Sequence, residues 1–395
     1  MQPTSLYLHI PFCRHRCGYC DFNTYAGLDN LIPAYTDALI AEAYWLAREA
    51  GERLPVHTIF LGGGTPSLLP LEAMQRLLQA LQDAYDVAAD AEISLEANPG
   101  TLSPEYLAGL RAAGFNRISL GVQSASPHEL LVLEREHDFV DVVNSVKWAR
   151  QAGFDNLNLD WIFGLPGQSL ASWQRNLELA TSLAPEHLSL YALSIEHGTP
   201  FRELDARGLL ALPDGDAAAE MYELADRMLA DAGFVQYEIS NWAKLGGDGQ
   251  PRVCRHNLQY WRNLPYAGLG AGAHGFLAGH RTANVLAPAA YIKRMREAAA
   301  QPPALEYPRT PVTASAERVD ARREMGETMM MGLRLVREGV SQAGFAERFG
   351  STLEQTYGRS ISVLQRRGLL ETASGALRLT HQGRLLGNQV FMEFV

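Results

Sequence analysis

Three of the four cysteines lie within eight residues, as Cys13-x3-Cys17-x2-Cys20, and the fourth, Cys254, is far along the chain. A disulfide framework spreads an even set of cysteines through a small secreted protein, which a 395-residue chain with this clustering is not. Clustered thiols point instead to a metal site. Three thiolates on one short loop can each take one iron of a cubane, and a 4Fe–4S cube held at three corners leaves a fourth iron with no protein ligand. A small molecule can coordinate at that corner. The competing reading is zinc: a closed zinc site takes four ligands, and His9 or His15 could complete one.

The elements that would position these thiols follow from periodicity. Apolar or β-branched runs at 6–10, 56–61, 92–97, 117–122, 157–162 and 187–193 predict strands, and amphipathic stretches at 34–50, 71–85, 105–113, 140–152 and 172–183 predict helices between them. Ala-Gly-Phe recurs at 113–115, 152–154 and 232–234, where glycine ends a helix and phenylalanine leads into the next strand. Ser103-Pro104-Glu105 and Ser126-Pro127 read as helix starts. Such alternation implies a parallel sheet with right-handed crossovers. Both a barrel and a doubly wound sheet satisfy it.

Placement of the polar residues separates the two. The cysteines follow the first strand, Gly62-Gly63-Gly64-Thr65-Pro66 the second, and Glu96-Ala97-Asn98-Pro99 ends the third. Gln123 closes the fourth, Asp160 lies in the fifth, and Tyr191 and Ser194 sit near the end of the sixth. A barrel gathers chemistry around that rim, whereas an open sheet concentrates it at one switch point. Six units rather than eight predict a partial (β/α)6 barrel, in an α/β chain whose barrel runs over 1–235.

Residues 236–312 carry a strand candidate at 235–240, a glycine-rich loop, an aromatic stretch at 255–275 and a proline-marked linker. From 313 to 395 the pattern is mainly helical, with a hairpin at 369–379 that gives a winged-helix-like domain. Lys+Arg is 34 against Asp+Glu 44, so the formal charge of −10 argues against nucleic-acid binding, and the tail reads as a helical cap. No run reaches the roughly 18–20 apolar residues of a membrane span, and the first six residues lack the basic cluster and apolar core of a signal peptide. A cytoplasmic protein that is not integral to a membrane is expected.

Cys-x3-Cys-x2-Cys with an aromatic, Tyr19, before the last cysteine resembles the radical S-adenosylmethionine (SAM) superfamily signature. The resemblance implies a 4Fe–4S cluster on Cys13, Cys17 and Cys20 whose open iron chelates SAM, the cofactor supplying the radical chemistry and the protein the binding and orientation. Gly63, Gly64 and Thr65 are similar to the glycine-rich stretch that holds the methionyl amino group. Glu96, Gln123, Arg135 and Asp160 match SAM-contacting positions around coproporphyrinogen III dehydrogenase, and Tyr7 and Tyr19 match SAM-site positions. Relatives usually carry glycine where this chain has Glu134.

Two features choose the branch. Tyr7-Leu8-His9-Ile10-Pro11-Phe12-Cys13 is shared with the oxygen-independent coproporphyrinogen III oxidases, but their further cysteine two residues past the third is here Phe22. His256-Asn257-Leu258-Gln259-Tyr260-Trp261 resembles the His-Asn-x-x-Tyr-Trp motif of the HemW-like haem chaperones, as does Ala271-Gly272-Ala273-His274-Gly275. That resemblance implies haem bound at His256, with Asn257, Tyr260 and Trp261 beside it, and delivery to an apo-haem acceptor protein such as a membrane respiratory enzyme, with peripheral membrane association through it. Imidazole ligates haem iron and aromatic faces cover the macrocycle; residue chemistry alone also allows a capped helix with its aromatics in the core. The alternatives are coproporphyrinogen III decarboxylation and a zinc-stabilised scaffold. Cys254 reads as a buried free thiol, and Met325, Met329, Met330 and Met331 as core filling.

Overall fold

The computed structural model describes residues 3–395, so Met1 and Gln2, the start of the stretch weighed as a signal peptide, lie outside the described residues. Two compact units emerge, one taking the chain up to Met228 together with Pro265–Glu317, the other Leu229–Leu264 with Arg318–Val395. The segment 236–312 is thus shared between them.

The first unit is built on six strands: β1 (Thr4–Ile10), β2 (Pro55–Gly63), β3 (Asp86–Ala97), β4 (Arg117–Gln123), β5 (Leu157–Phe163) and β6 (His187–Ala192). They pair in sequence order and all in parallel. A doubly wound sheet reverses its order at a switch point; this one does not, which is the barrel progression. The other edge of β1 pairs in parallel with Tyr266–Leu269, which is continued by the antiparallel strands His274–Leu277 and His280–Asn284. The barrel is partial.

Helices α1 (Ile32–Glu49), α2 (Leu71–Ala84), α3 (Pro104–Ala113), α4 (Phe139–Gln151) and α5 (Leu170–Ser182) make the crossovers. Ser103 accepts from Tyr106 N and Ser126 from Glu129 N at helix starts, and Gly114 and Gly153 take left-handed φ of 117° and 89° at helix ends.

Along the strands the residue types alternate with period two. Leu6, Leu8, Ile10, Ile59, Leu61, Ile118, Leu120, Leu157, Leu159, Leu188 and Leu190 are all buried. The residues between them include Tyr7, His9, Arg117, Ser119, Asn158, Asp160, His187 and Ser189, several of which bond to one another. A parallel sheet buried on both faces reads as a continuous apolar run. Here one face packs under the helices and the other carries a polar interior.

The second unit holds the antiparallel pair Phe234–Glu238 and Asn241–Lys244, the short helix Arg255–Trp261, and a C-terminal array. That array runs helix Ala321–Gly332, strand Val340–Ser341, helices Gln342–Phe349 and Leu353–Arg366, then a hairpin of Leu370–Ala373 and Ala376–Leu379 whose second strand also pairs with Val340–Ser341. This is a winged-helix order. Met329 lies in its core beside Leu333, Phe345 and Leu364, with Met325 and Met330 packed against it. Among the described residues no helix is long and apolar enough to cross a membrane.

Candidate cluster and cofactor site

Cys13 ends a two-residue strand, Phe12–Cys13, paired in parallel with Tyr25–Ala26, and Cys20 N donates to Cys17 O at 3.1 Å to close a tight turn. All three thiols are half-buried and none is in a disulfide. Burial pushes the Cys13 thiol up, the Thr65 hydroxyl donating to its Sγ at 3.6 Å pulls it down, and Cys20 and Cys17 push it up again. Burial also raises Cys20, with Cys17 adding to it. The thiols therefore feel one another. Among the described residues no three His, Cys, Asp or Glu side chains are set to hold one ion in common; a cubane takes each thiol at a different iron.

The glycine exit of β2 lies along the cysteine strand. Gly64 N donates to Ile10 O and Thr65 N to Phe12 O, both at 2.8 Å. A Cβ on Gly64 would stand 2.6 Å from Phe12 O, and one on Gly63, whose φ is +109°, would stand 2.4 Å from the His9 ring. Only glycine fits this approach. Gly63 N donates to Glu96 Oε2 at 3.0 Å. Burial, then the Asp160 charge, pushes the Glu96 carboxyl up to about 7, against the Gly63 hydrogen bond and the Arg117 charge. Asp160 accepts from Ser119 Oγ at 2.7 Å and Asn158 Nδ2 at 2.8 Å, and burial raises its carboxyl also.

Arg135 donates to Gly121 O at 3.1 Å and to Asn98 Oδ1, and approaches Cys17 Sγ at 3.9 Å. Gln123, at φ +65°, shares this corner: a Cβ on Gly121 would lie 3.1 Å from Gln123 Nε2 and 3.3 Å from Arg135. Tyr7 Oη and His9 Nδ1 are 2.9 Å apart, and His9 Nε2 is 3.0 Å from Asn23 O, so this pair braces the loop beyond the cysteines. Tyr19 packs edge-on to Phe201 and against Leu133, Ile162 and Leu165. A cleft of about 190 Å³ opens beside Cys17, Thr65, Asn98 and Arg135. Three soft donors, a glycine cradle and two neighbouring carboxyls fit an iron–sulfur cluster and a cationic, amino-acid-like ligand.

Cys13, Cys17, Cys20, Tyr7, Tyr19, Gly63, Gly64, Thr65, Glu96, Gln123, Arg135 and Asp160 all belong to the first unit. Sequence reasoning missed His9 as a brace, Asn98 as the partner of Arg135 and Thr65, and the Arg117, Ser119 and Asn158 network beneath the carboxyls. The period-two polar interruptions of β4 and β5 were the available signal.

His256, Asn257, Tyr260 and Trp261 lie on one short helix of the second unit. The His256 ring is 1% exposed, with Nε2 2.8 Å from Tyr260 Oη and the two rings edge to face at 4.9 Å. Asn257 is half-buried. Trp261 lies under the Arg334 guanidinium at 4.5 Å, and its indole N–H has no hydrogen-bond partner. Cys254 is buried at the helix start.

Residues 7–180 match the Radical SAM superfamily and residues 319–386 the HemN C-terminal domain. The chain is 40% identical to "Heme chaperone HemW" of Bacillus subtilis (strain 168), over 99% of each chain. It is 43% identical to "Heme chaperone HemW" of Escherichia coli (strain K12), over 70% of each. The solved structure of coproporphyrinogen III oxidase (HemN) from Escherichia coli, a radical SAM enzyme, matches with a TM-score of 0.80 at 22% identity, covering 99% of this chain and 90% of that one; that likeness is one of fold. Radical SAM membership implies a 4Fe–4S cluster and SAM. With near-complete coverage of a relative at such identity, the chain belongs to the HemW family of the radical SAM superfamily.

Proposed function

We propose that the protein is a haem chaperone. It holds a 4Fe–4S cluster on Cys13, Cys17 and Cys20 and SAM at the barrel rim, binds haem through His256, and hands haem to an acceptor haem protein, a membrane respiratory enzyme being the acceptor class. It acts in the cytoplasm and meets the membrane only through that acceptor. The observation that carries the reading is the full-length 40% identity to a protein named for this role. His256, Tyr260 and Trp261 on one helix supply an imidazole and aromatic faces. His256 Nε2, 2.8 Å from the Tyr260 hydroxyl, would be the nitrogen offered to haem iron, with that hydroxyl as its competitor.

Haem titration of cluster-loaded protein, followed at the Soret band, tests this. His256→Ala is expected to weaken haem binding by at least about tenfold while leaving iron–sulfur content unchanged. Because His256 is buried, Tyr260→Phe is the companion variant: it removes the competing hydroxyl and should retain or tighten binding. Unchanged affinity in His256→Ala would move the ligand elsewhere. Robust conversion of coproporphyrinogen III by wild-type protein would overturn the chaperone reading.

Glu96 gives SAM binding a pH dependence. A cationic ligand favours the carboxylate, whereas the carboxyl alone is pushed up to about 7. Below that value the ionised fraction falls, so SAM affinity should drop about tenfold per pH unit under pH 6, and binding at pH 6 should release close to one proton. Calorimetry in buffers of different ionisation enthalpy measures that proton. Glu96→Gln should bind weakly with no release; a proton count that stays at zero in wild type removes Glu96 from contact with the cation.

A further inference from the structure

Glu134 stands in the left-handed region, at φ +54°, one residue past Leu133, the cap of the short helix Pro127–Val132. There its N–H donates to Leu131 O and the next N–H, that of Arg135, to Leu130 O. A residue ending a helix in this way is ordinarily glycine, because a Cβ is strained there. Strain of this kind persists only where surrounding contacts hold it. Here, beyond the two backbone bonds to its own helix, the Glu134 carboxylate and carbonyl reach the cysteine loop. The Glu134 carboxylate accepts from Gly18 N at 2.9 Å and pairs with His15 Nε2 at 3.0 Å, while its backbone carbonyl accepts from Cys17 Sγ at 3.8 Å. Gly18 is buried and closely fitted: a Cβ on it would stand 3.1 Å from Glu134 Oε1 and 3.2 Å from Phe201, and its carbonyl accepts from Phe201 N.

We propose that Glu134 is a positioning residue, a latch that fixes the Cys17 turn against the barrel rim and so slows loss of the cluster. Gly18 and His15 are fastened to the Glu134 side chain, the His15 pair lying about half exposed at 48% and 45%. The Cys17 contact to Glu134 O needs a protonated thiol and so belongs to the metal-free loop. The latch needs no metal to form, so it presents Cys17 ready for loading. This inference rests on the reading of the three cysteines as cluster ligands.

The test compares anaerobically reconstituted wild type, Glu134→Gly and Glu134→Gln for the rate of iron release into excess ferrous chelator, and for the Tm of the metal-free proteins. Glu134→Gly removes both side-chain contacts but relieves the left-handed strain, so its Tm should equal or exceed that of wild type while iron leaves about three- to tenfold faster. Glu134→Gln keeps an acceptor for Gly18 N and should fall between the two. Iron release at the wild-type rate in both variants overturns the latch and leaves the cluster reading standing. A Tm that falls in Glu134→Gly overturns it too, assigning the side chain to general stability. Wild-type protein that takes up no 4Fe–4S cluster sinks the cluster reading, and the latch with it.

Discussion

Cys17→Ala is expected to bring the iron and acid-labile sulfide of anaerobically reconstituted protein down to background, with no brown absorbance, while the metal-free chain stays folded. A cubane held at three corners has no spare protein ligand, so one lost thiolate leaves two irons uncovered. The cost to the fold is small because Cys17 is half-buried on a loop, its thiol making only a 3.8 Å contact to Glu134 O and a 3.9 Å contact from Arg135. A change within about 0.5 kcal/mol is the expectation for such a position. Cys254→Ala serves as the control: that thiol is buried at the start of a helix in the other unit, and its loss should leave iron content at the wild-type level. Full cluster content in Cys17→Ala would remove Cys17 from the ligand set. Stoichiometric zinc in wild type, without sulfide, would bring back the scaffold alternative.

Much of the first unit was legible because its signals are local. Five of the six strands and all five helices lie within two residues of their predicted bounds, since amphipathic period, serine caps and left-handed glycines act over one or two turns. The exception is β3, which starts at Asp86, six residues before the predicted 92, through a largely exposed stretch with no sustained apolar run to mark it. The cysteine spacing and Gly62-Gly63-Gly64 were legible for a related reason: each is a contiguous stretch whose chemistry needs little context. Partnerships between distant residues were not. Asn98 meets Arg135 across 37 residues, and Asn23 reaches Ala271 O and Leu286 O more than two hundred residues away. No periodicity encodes the joining of Tyr266–Leu269 to the edge of β1, because strand pairing is fixed by packing after collapse. His256 shows the limit of reading by residue type. The motif offers an imidazole, yet packing buries it and gives its Nε2 to Tyr260 four residues on. Glu134 is a case where the departure was visible in the sequence and its consequence was not: the left-handed turn and the reach to Gly18 exist only in three dimensions.

Glu42→Leu should be the costliest of these substitutions for the fold. Glu42 lies on α1 with no exposed surface, and its carboxylate gathers the segment that extends the barrel edge. Oε2 accepts from Gly270 N at 2.8 Å and Tyr291 Oη at 2.6 Å, and Oε1 from Asn284 Nδ2 at 2.8 Å and Thr310 Oγ1 at 2.9 Å. Tyr35, on the same helix, bridges His9 O and Ala271 N, so the Gly270–Ala271 turn is held from both sides. Leucine would fill the volume but leave four buried donors facing an apolar group, at about 1–3 kcal/mol for each that cannot turn to another partner. A net loss of about 3–5 kcal/mol is expected, read as a fall in the urea midpoint of the metal-free protein. Glu42→Gln keeps one oxygen for Gly270 N and the Tyr291 hydroxyl, which share Oε2, and should lose less, since its amide NH2 would face the Thr310 hydroxyl, which can rotate to accept. Burial holds the folded-state carboxyl of Glu42 above its ordinary value despite the four donors. The folded chain therefore binds more protons than the unfolded one as pH rises from about 4.5, and the contribution of Glu42 to stability declines across that window before levelling off. The deficit of Glu42→Leu should accordingly be larger near pH 4.5 than near pH 8. A variant within about 1 kcal/mol of wild type at both pH values would mean that the Pro265–Glu317 segment is held by its strand pairing to β1 rather than by this carboxylate.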